Sequence, residues 1–164
     1  MQQRRIAYLG LGSNLGDRAR FLAQARERLA ALPDTTLARA SRVYETAPQE
    51  ITDQPAFLNQ VVELRTALSP RTLLGYLKEI EAALGRRPGP RGGPREVDID
   101  ILLMEGVAVE EPGLVVPHPH LAERAFVLAP LAELAPQLRL PGGETVLVRA
   151  RKLQESQAVA PVDL

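Results

Sequence analysis

Asp98-Ile99-Asp100-Ile101 places two acids one position apart inside an otherwise apolar, β-favouring run. Alternate side chains of a strand leave the same face, so both carboxylates point one way, with Cα atoms about 6.5–7 Å apart. Two negative charges held that close repel, and hard divalent cations turn the repulsion into binding; magnesium suits this donor set. The plain alternative is the solvated outer face of an edge strand. Immediately upstream, residues 85–95 read Gly-Arg-Arg-Pro-Gly-Pro-Arg-Gly-Gly-Pro-Arg, with four arginines and no acid. Guanidinium forks match phosphate oxygens bidentately and glycine permits movement, so this stretch suggests a cationic lid closing over metal-bound polyphosphate. A disordered basic linker is its alternative.

The elements that must position these groups follow from spacing. A strand is expected over Arg4–Gly12, then a helix from Asp17 to Pro33 whose Phe21, Leu22, Ala25, Leu29 and Leu32 form one apolar stripe. Thr36–Thr46 and Phe57–Thr66 read as strands, and Ser69-Pro70 opens a second helix that buries Leu73, Leu74, Leu77, Ile80 and Leu84 before Gly85. Short strands are expected at 97–104, 107–109 and 114–116, and helices at 125–134 and 145–154, with residues 156–164 fraying. The order β, α, β, β, α, β, followed by hairpin strands and helices, predicts an α+β fold: a mostly antiparallel, ferredoxin-like (split βαβ) sheet with helices packed on it. The loop Gly10–Gly16 imitates a dinucleotide-binding glycine motif, but its third glycine falls one residue late and no helix separates the two strands that follow. A Rossmann sheet is therefore disfavoured.

Composition bounds the function. One domain is expected from 164 residues, and 45% hydrophobic with 24% charged residues is an ordinary globular mixture. Twenty basic residues balance twenty acidic ones, so no global field favours nucleic acid or an anionic membrane. Zero cysteines exclude disulfides, thiolate metal sites and cysteine nucleophiles. With no export signal or membrane span visible, a cytoplasmic monomer acting on small molecules is expected.

The run Arg91-x-Gly93-Pro94-Arg95-x-x-Asp98-Ile99-Asp100-Ile101-Leu102 closely resembles the signature of the 6-hydroxymethyl-7,8-dihydropterin pyrophosphokinases of folate biosynthesis. Further matches run in family order through Gly12-Ser13-Asn14-Leu15, Tyr44-Glu45-Thr46-x-Pro48, Asp53-Gln54-Pro55-x-Phe57-Leu58-Asn59, Ile80-Glu81, Val116-Pro117-His118 and Arg124-x-Phe126. They span roughly residues 5–140 and include both asparagines and one of the two histidines.

The resemblance implies that the pterin hydroxymethyl oxygen attacks the β-phosphorus of ATP, releasing AMP. It implies two Mg²⁺ ions on Asp98 and Asp100, with Arg86, Arg95 and Arg91 supplying positive charge to the transition state. Phe57 and Phe126 would sandwich the pterin, Asn59 would bond its amide edge, and backbone groups of Thr46, Ala47, Pro48 and Gln49 would complete recognition. Stacking with a directional amide suits a heteroaromatic plate. Lys78, Glu81, His118 and Arg124 would contact the nucleotide, and Leu74, Ile101 and Val115 would line its adenine pocket. The Gly10–Gly16 turn itself reads as structural, with Asn14 at the border of the cleft as the alternative, and His120 takes no role. This chain departs from some bacterial members in having no Trp in the lid, where Gly92 stands, in a lid about one residue shorter and without its usual lysine, and in Ala47 replacing a frequent proline. The rival is a catalytically silent ferredoxin-like module that binds a nucleotide or RNA through residues 86–95.

Overall fold

Side-chain alternation decides how this chain layers. In the computed structural model, which describes residues 3–46, 53–85 and 96–163, strand β1 (Arg5–Ser13) lies between β4 (Phe57–Thr66) and β5 (Asp98–Met104), antiparallel to both. Strand β3 (Val43–Thr46) continues the sheet beyond β4, and β2 (Thr35–Ala40) pairs with the other half of the same β4 edge. The order β5-β1-β4-β3 with every pairing antiparallel is the expected ferredoxin-like arrangement.

Helix α1 (Arg18–Ala30) starts where Asp17 accepts a hydrogen bond from the Arg20 N–H, and α2 (Pro70–Ala83) starts where Ser69 accepts one from Thr72. Their apolar stripes bury Leu22, Ala25 and Leu29, and Leu73, Leu77 and Ile80, against Leu9, Leu11, Leu64, Ile99 and Ile101 on one face of the sheet. Each fully buried leucine contributes about 1.5–3 kcal/mol there. The hairpin β6 (Val109–Glu111) and β7 (Leu114–Val116) closes that core with Leu114 and Val116.

The other face is covered in part. Helices α3 (Ala125–Leu134) and α4 (Val146–Gln154) pack Leu128, Leu131, Val146 and Ala150 over Tyr8, Val61 and Leu102. Among the described residues no helix is long and apolar enough to cross a membrane.

Two expectations need correction. The single strand at Thr36–Thr46 is broken at Ser41-Arg42, because the Ser41 hydroxyl occupies a ladder position: its Oγ accepts the Val61 N–H at 3.0 Å and donates to the Arg42 carbonyl at 2.7 Å. The tail at 156–164 does not simply fray. Val159–Val162 forms β8, paired with β3 from Val43↔Val162 to Thr46↔Val159, because the β3 edge offers ladder groups to an alternating Val-Ala-Pro-Val segment. Removing residues 158–164 is expected to lower stability by about 1–3 kcal/mol, from four lost cross-strand pairs. A melting curve of the truncated protein checks this, and an unchanged midpoint would show that the strand adds nothing.

Candidate active site

Register places the polar face. Residues paired directly across antiparallel strands share a face, so Asp98, Gly12, Asn59 and Tyr44 form one row, and Asp100, Gly10 and Val61 the next. α3 and α4 reach Val61 and Leu102, while the row beyond is the polar end of the sheet. There β1 and β3 end and β4 and β5 begin, which gathers Asp98, Asp100, Phe57, Asn59 and Thr46 from three strands. Gly12 lies between the acids and the amide. A Cβ there would stand 3.2 Å from Asn59 Oδ1 and 4.0 Å from a Phe57 ring carbon, so only hydrogen leaves the surface clear.

The carboxylates are half-buried, and the intervening Ile99 is anchored in the core. Burial, then the charge of Asp98, then that of Glu81, push the Asp100 carboxyl up to about 7, against the opposing charges of Lys78 and Arg124. Holding both acids ionised at this end of the sheet is thus unfavourable, and a bound cation would offset that cost. Two carboxylates, with no set of three His, Cys, Asp or Glu side chains placed to hold a metal among the described residues, fit magnesium, which takes one or two carboxylates and completes its shell with water and phosphate oxygens. Glu81 is 2% exposed, and its Oε2 accepts the Ile99 N–H at 2.8 Å, with Lys78 Nζ 3.5 Å from Oε1. Expected to meet nucleotide, it also seals the outer edge of β5 between the two acids.

On the amide side, Asn59 donates from Nδ2 to Thr46 Oγ1 at 2.8 Å, which fixes the orientation of its amide. Phe126 stands in the first turn of α3, with the Arg124 guanidinium 5.7 Å from its ring centre. Gln157 holds that helix start: its Oε1 accepts the Ala125 N–H at 2.8 Å and its Nε2 donates to the Glu123 carbonyl at 2.9 Å. Farther along α3, Glu133 accepts the Tyr44 hydroxyl and, at 3.1 Å, the Arg42 N–H. Burial and that carboxylate push the Tyr44 phenol up to about 12. The helix carrying Phe126 is therefore tied to the strand carrying Thr46.

His118 is hung on β5 by its N–H to the Leu102 carbonyl at 2.8 Å, and its Nδ1 accepts the His120 N–H at 3.1 Å. Burial first, then the charge of Arg124, holds the His118 imidazole below its usual range. With Nδ1 accepting, its proton sits on Nε2. His120 pairs with Glu123 at 2.6 Å.

Of the remaining expected residues, Ile101 is buried on the opposite face of β5, Leu74 is partly buried on α2, and Val115 is 38% exposed on β7. Arg86, Arg91, Arg95, Ala47, Pro48 and Gln49 lie outside the described residues. Sequence reasoning gives no role to Gly12 or Gln157. Gly12 could be found by aligning the β1 turn with the Asp98 strand, whereas nothing local marks Gln157.

The fold and this end of the sheet define a ferredoxin-like α+β protein with a cation-demanding carboxylate pair beside an aromatic and amide platform. The family model for 7,8-dihydro-6-hydroxymethylpterin-pyrophosphokinase (HPPK) matches residues 8–136. A Methylorubrum extorquens protein called 2-amino-4-hydroxy-6-hydroxymethyldihydropteridine pyrophosphokinase is 52% identical over 150 residues, covering 92% of this chain and 94% of its own length. The Bacillus subtilis protein of that name is 47% identical over 133 residues, 81% of this chain and 80% of its own. Among solved structures, an HPPK-DHPS in complex with substrates superposes with a TM-score of 0.74 at 15% identity over 94% of this chain. Wild-type Plasmodium falciparum HPPK-DHPS with pterin and p-hydroxybenzoate gives 0.72 at 16% over 94%. This chain spans 44% of each of those two solved chains. It belongs to the 7,8-dihydro-6-hydroxymethylpterin-pyrophosphokinase family.

The raised Asp100 pKa has a stability consequence of definite sign. The folded carboxyl keeps a proton that the unfolded chain releases near the ordinary value of 3.8, so stability falls as pH rises from about 4 to about 7 and stays lower above. Asp100→Asn removes that titration. Without added metal, its unfolding free energy relative to the unsubstituted protein is expected to be level at pH 4 and higher at pH 8, by about 2–4 kcal/mol, read from denaturant melts at the two pH values. A difference that does not change with pH would contradict this origin.

Proposed function

We propose that this protein transfers a diphosphate group from ATP to the hydroxymethyl oxygen of 6-hydroxymethyl-7,8-dihydropterin, a step of folate biosynthesis. The observation carrying the reading is the single row in which Asp98, Gly12 and Asn59 stand side by side on three neighbouring strands. An acidic metal-holding end lies two strands away from an amide that can read the edge of a flat heterocycle.

The hydroxymethyl oxygen forms a bond to the β-phosphorus, the bond from that phosphorus to the oxygen bridging the α-phosphorus breaks, the hydroxyl proton is lost, and AMP leaves. Asp98 and Asp100 would hold two magnesium ions, which, when bound, supply charge neutralisation on the triphosphate and acidify the attacking hydroxyl. Phe57 and Phe126 clamp the pterin faces, and Asn59, oriented by Thr46, reads its amide edge together with backbone groups at Ala47, Pro48 and Gln49. His118 donates from Nε2 and Arg124 adds positive charge at the phosphates, while Arg86, Arg95 and Arg91 approach the same charge from the segment before β5. Preorganised cations and donors act most strongly where charge grows on the departing AMP oxygen. Leu74, Val115 and backbone groups at Ile101 border the adenine, Lys78 faces the nucleotide, and Glu81 steadies the strand holding both acids. Balanced charge argues against nucleic acid or an anionic membrane as partner, and a cysteine-free sequence suits the cytoplasm, where we place a monomer working on small molecules.

Incubation with ATP, Mg²⁺ and the hydroxymethyl pterin is expected to yield AMP in proportion to the pterin consumed. ADP as product would indicate ordinary phosphoryl transfer, and no pterin-dependent turnover would favour the nucleotide-binding module. Asp98→Asn and Asp100→Asn are each expected to lower kcat at least about a hundredfold while the protein stays folded. A loss of folding in both would indicate a structural role for the acids.

A further inference from the structure

Behind the platform, on the sheet face opposite Thr46, helix α1 begins with Arg18, a residue the proposed chemistry does not use. Its Nη1 donates to Glu45 Oε2 at 3.1 Å and to the Ala56 carbonyl at 2.8 Å. Glu45 is the penultimate residue of β3 and Ala56 immediately precedes β4, so one guanidinium joins the end of one strand to the start of the next. Four residues earlier, Asn14 is 1% exposed and donates from Nδ2 to Gln54 Oε1 at 2.8 Å and to the Pro55 carbonyl at 3.1 Å.

Among the described residues Thr46↔Phe57 is the last pair of the β3–β4 ladder, and Thr46 and Phe57 are the residues that face the pterin in the reading above. Among the described residues, Asn14 and Arg18 are the side chains that reach from the β1–α1 turn to this junction. Arg18 is the more telling of the two because it holds one partner on β3 and another at the residue that leads into β4. Its side chain is 30% exposed and that of Glu45 44%, so the core does not rest on the contact.

We infer that Arg18 is a positioning residue for pterin recognition: by clasping Glu45 to Ala56 it sets the spacing of Thr46 and Phe57 without touching either substrate. The inference rests on the pterin-binding reading. Its signature is selective, because the acids, His118 and Arg124 are held by other contacts on β5 and the segment after β7.

Steady-state kinetics with pterin and ATP varied separately test it in Arg18→Ala, Arg18→Lys, Glu45→Ala and the Arg18→Ala/Glu45→Ala double variant. Arg18→Ala is expected to raise the pterin KM about tenfold, the scale of one charge-assisted hydrogen bond, with kcat and the ATP KM within about twofold. Arg18→Lys should recover part of the loss, and the double variant should be no worse than Arg18→Ala. An unchanged pterin KM, or equal damage to the ATP KM, overturns the inference, and Glu45→Ala decides the question by the same readout if Arg18→Ala does not fold. Absence of AMP from the unsubstituted protein would overturn the activity reading itself, so the two failures are distinguishable.

Discussion

Two carboxylates of like charge on one face of an edge strand are the constraint around which this fold is arranged. Left in water they would separate; here the strand's own alternation holds them together, because Ile99 and Ile101 are buried in the core on the other face. A slip of one residue would send both acids into that core and both isoleucines to the polar face, so the register of β5 on β1 is strongly specified. The electrostatic penalty appears in the Asp100 carboxyl, which burial and its neighbours keep protonated far above the usual range. Lys78 from one side and Arg124 from the other offset only part of it.

The sheet divides its labour by face and by end. One face carries the larger core under α1 and α2, which supplies stability and demands little of chemistry. The other is roofed by α3 and α4 over Tyr8, Val61 and Leu102, leaving the row through Asp98, Gly12 and Asn59 beyond the roof. Two inter-strand spacings, about 9.6 Å, separate the acid from the amide, the scale of a fused bicyclic ring with a one-carbon arm. Gly12 fills the middle of that span with backbone alone, and the nearest edge of the roof is Phe126, braced at its helix start by Gln157 and tied back to β3 through Glu133 and Tyr44.

What can be read in the sequence is what is local. The Asp-Ile-Asp-Ile alternation, the Asp17 and Ser69 caps and the helical stripes each depend on residues within a few positions, and each stands in the structure as expected. The ferredoxin-like order follows from the succession of element types. The break at Ser41 is not legible, because a serine hydroxyl displacing a ladder bond depends on Val61, twenty residues away. Strand β8 is illegible for the same reason: a short, proline-containing segment has little intrinsic preference, and it is the edge of β3 that recruits it. At the site, residue types are visible in the sequence but not their supports. Glu81 reads as a nucleotide ligand, since nothing nearby in sequence reveals that its carboxylate ends on the N–H of Ile99.

These supports explain why the site can be both strained and well placed. A protein selected for stability alone would neutralise one acid of the pair, and would place a side chain where Gly12 leaves none. Both would relieve the sheet, and in the proposed reaction both would remove what a cation and a flat heterocycle require. The fold instead concentrates the unfavourable term in one spot and surrounds it with contacts that do not depend on it: an apolar core beneath, a glutamate sealing the strand edge, and a helix start held by Gln157. Any cation that binds the paired acids in the folded chain and not in the unfolded one returns part of that term as stability, by mass action. Affinity for the ion and resistance to unfolding are therefore two measurements of one interaction, and a change that weakens the repulsion must lower the first as it raises the second.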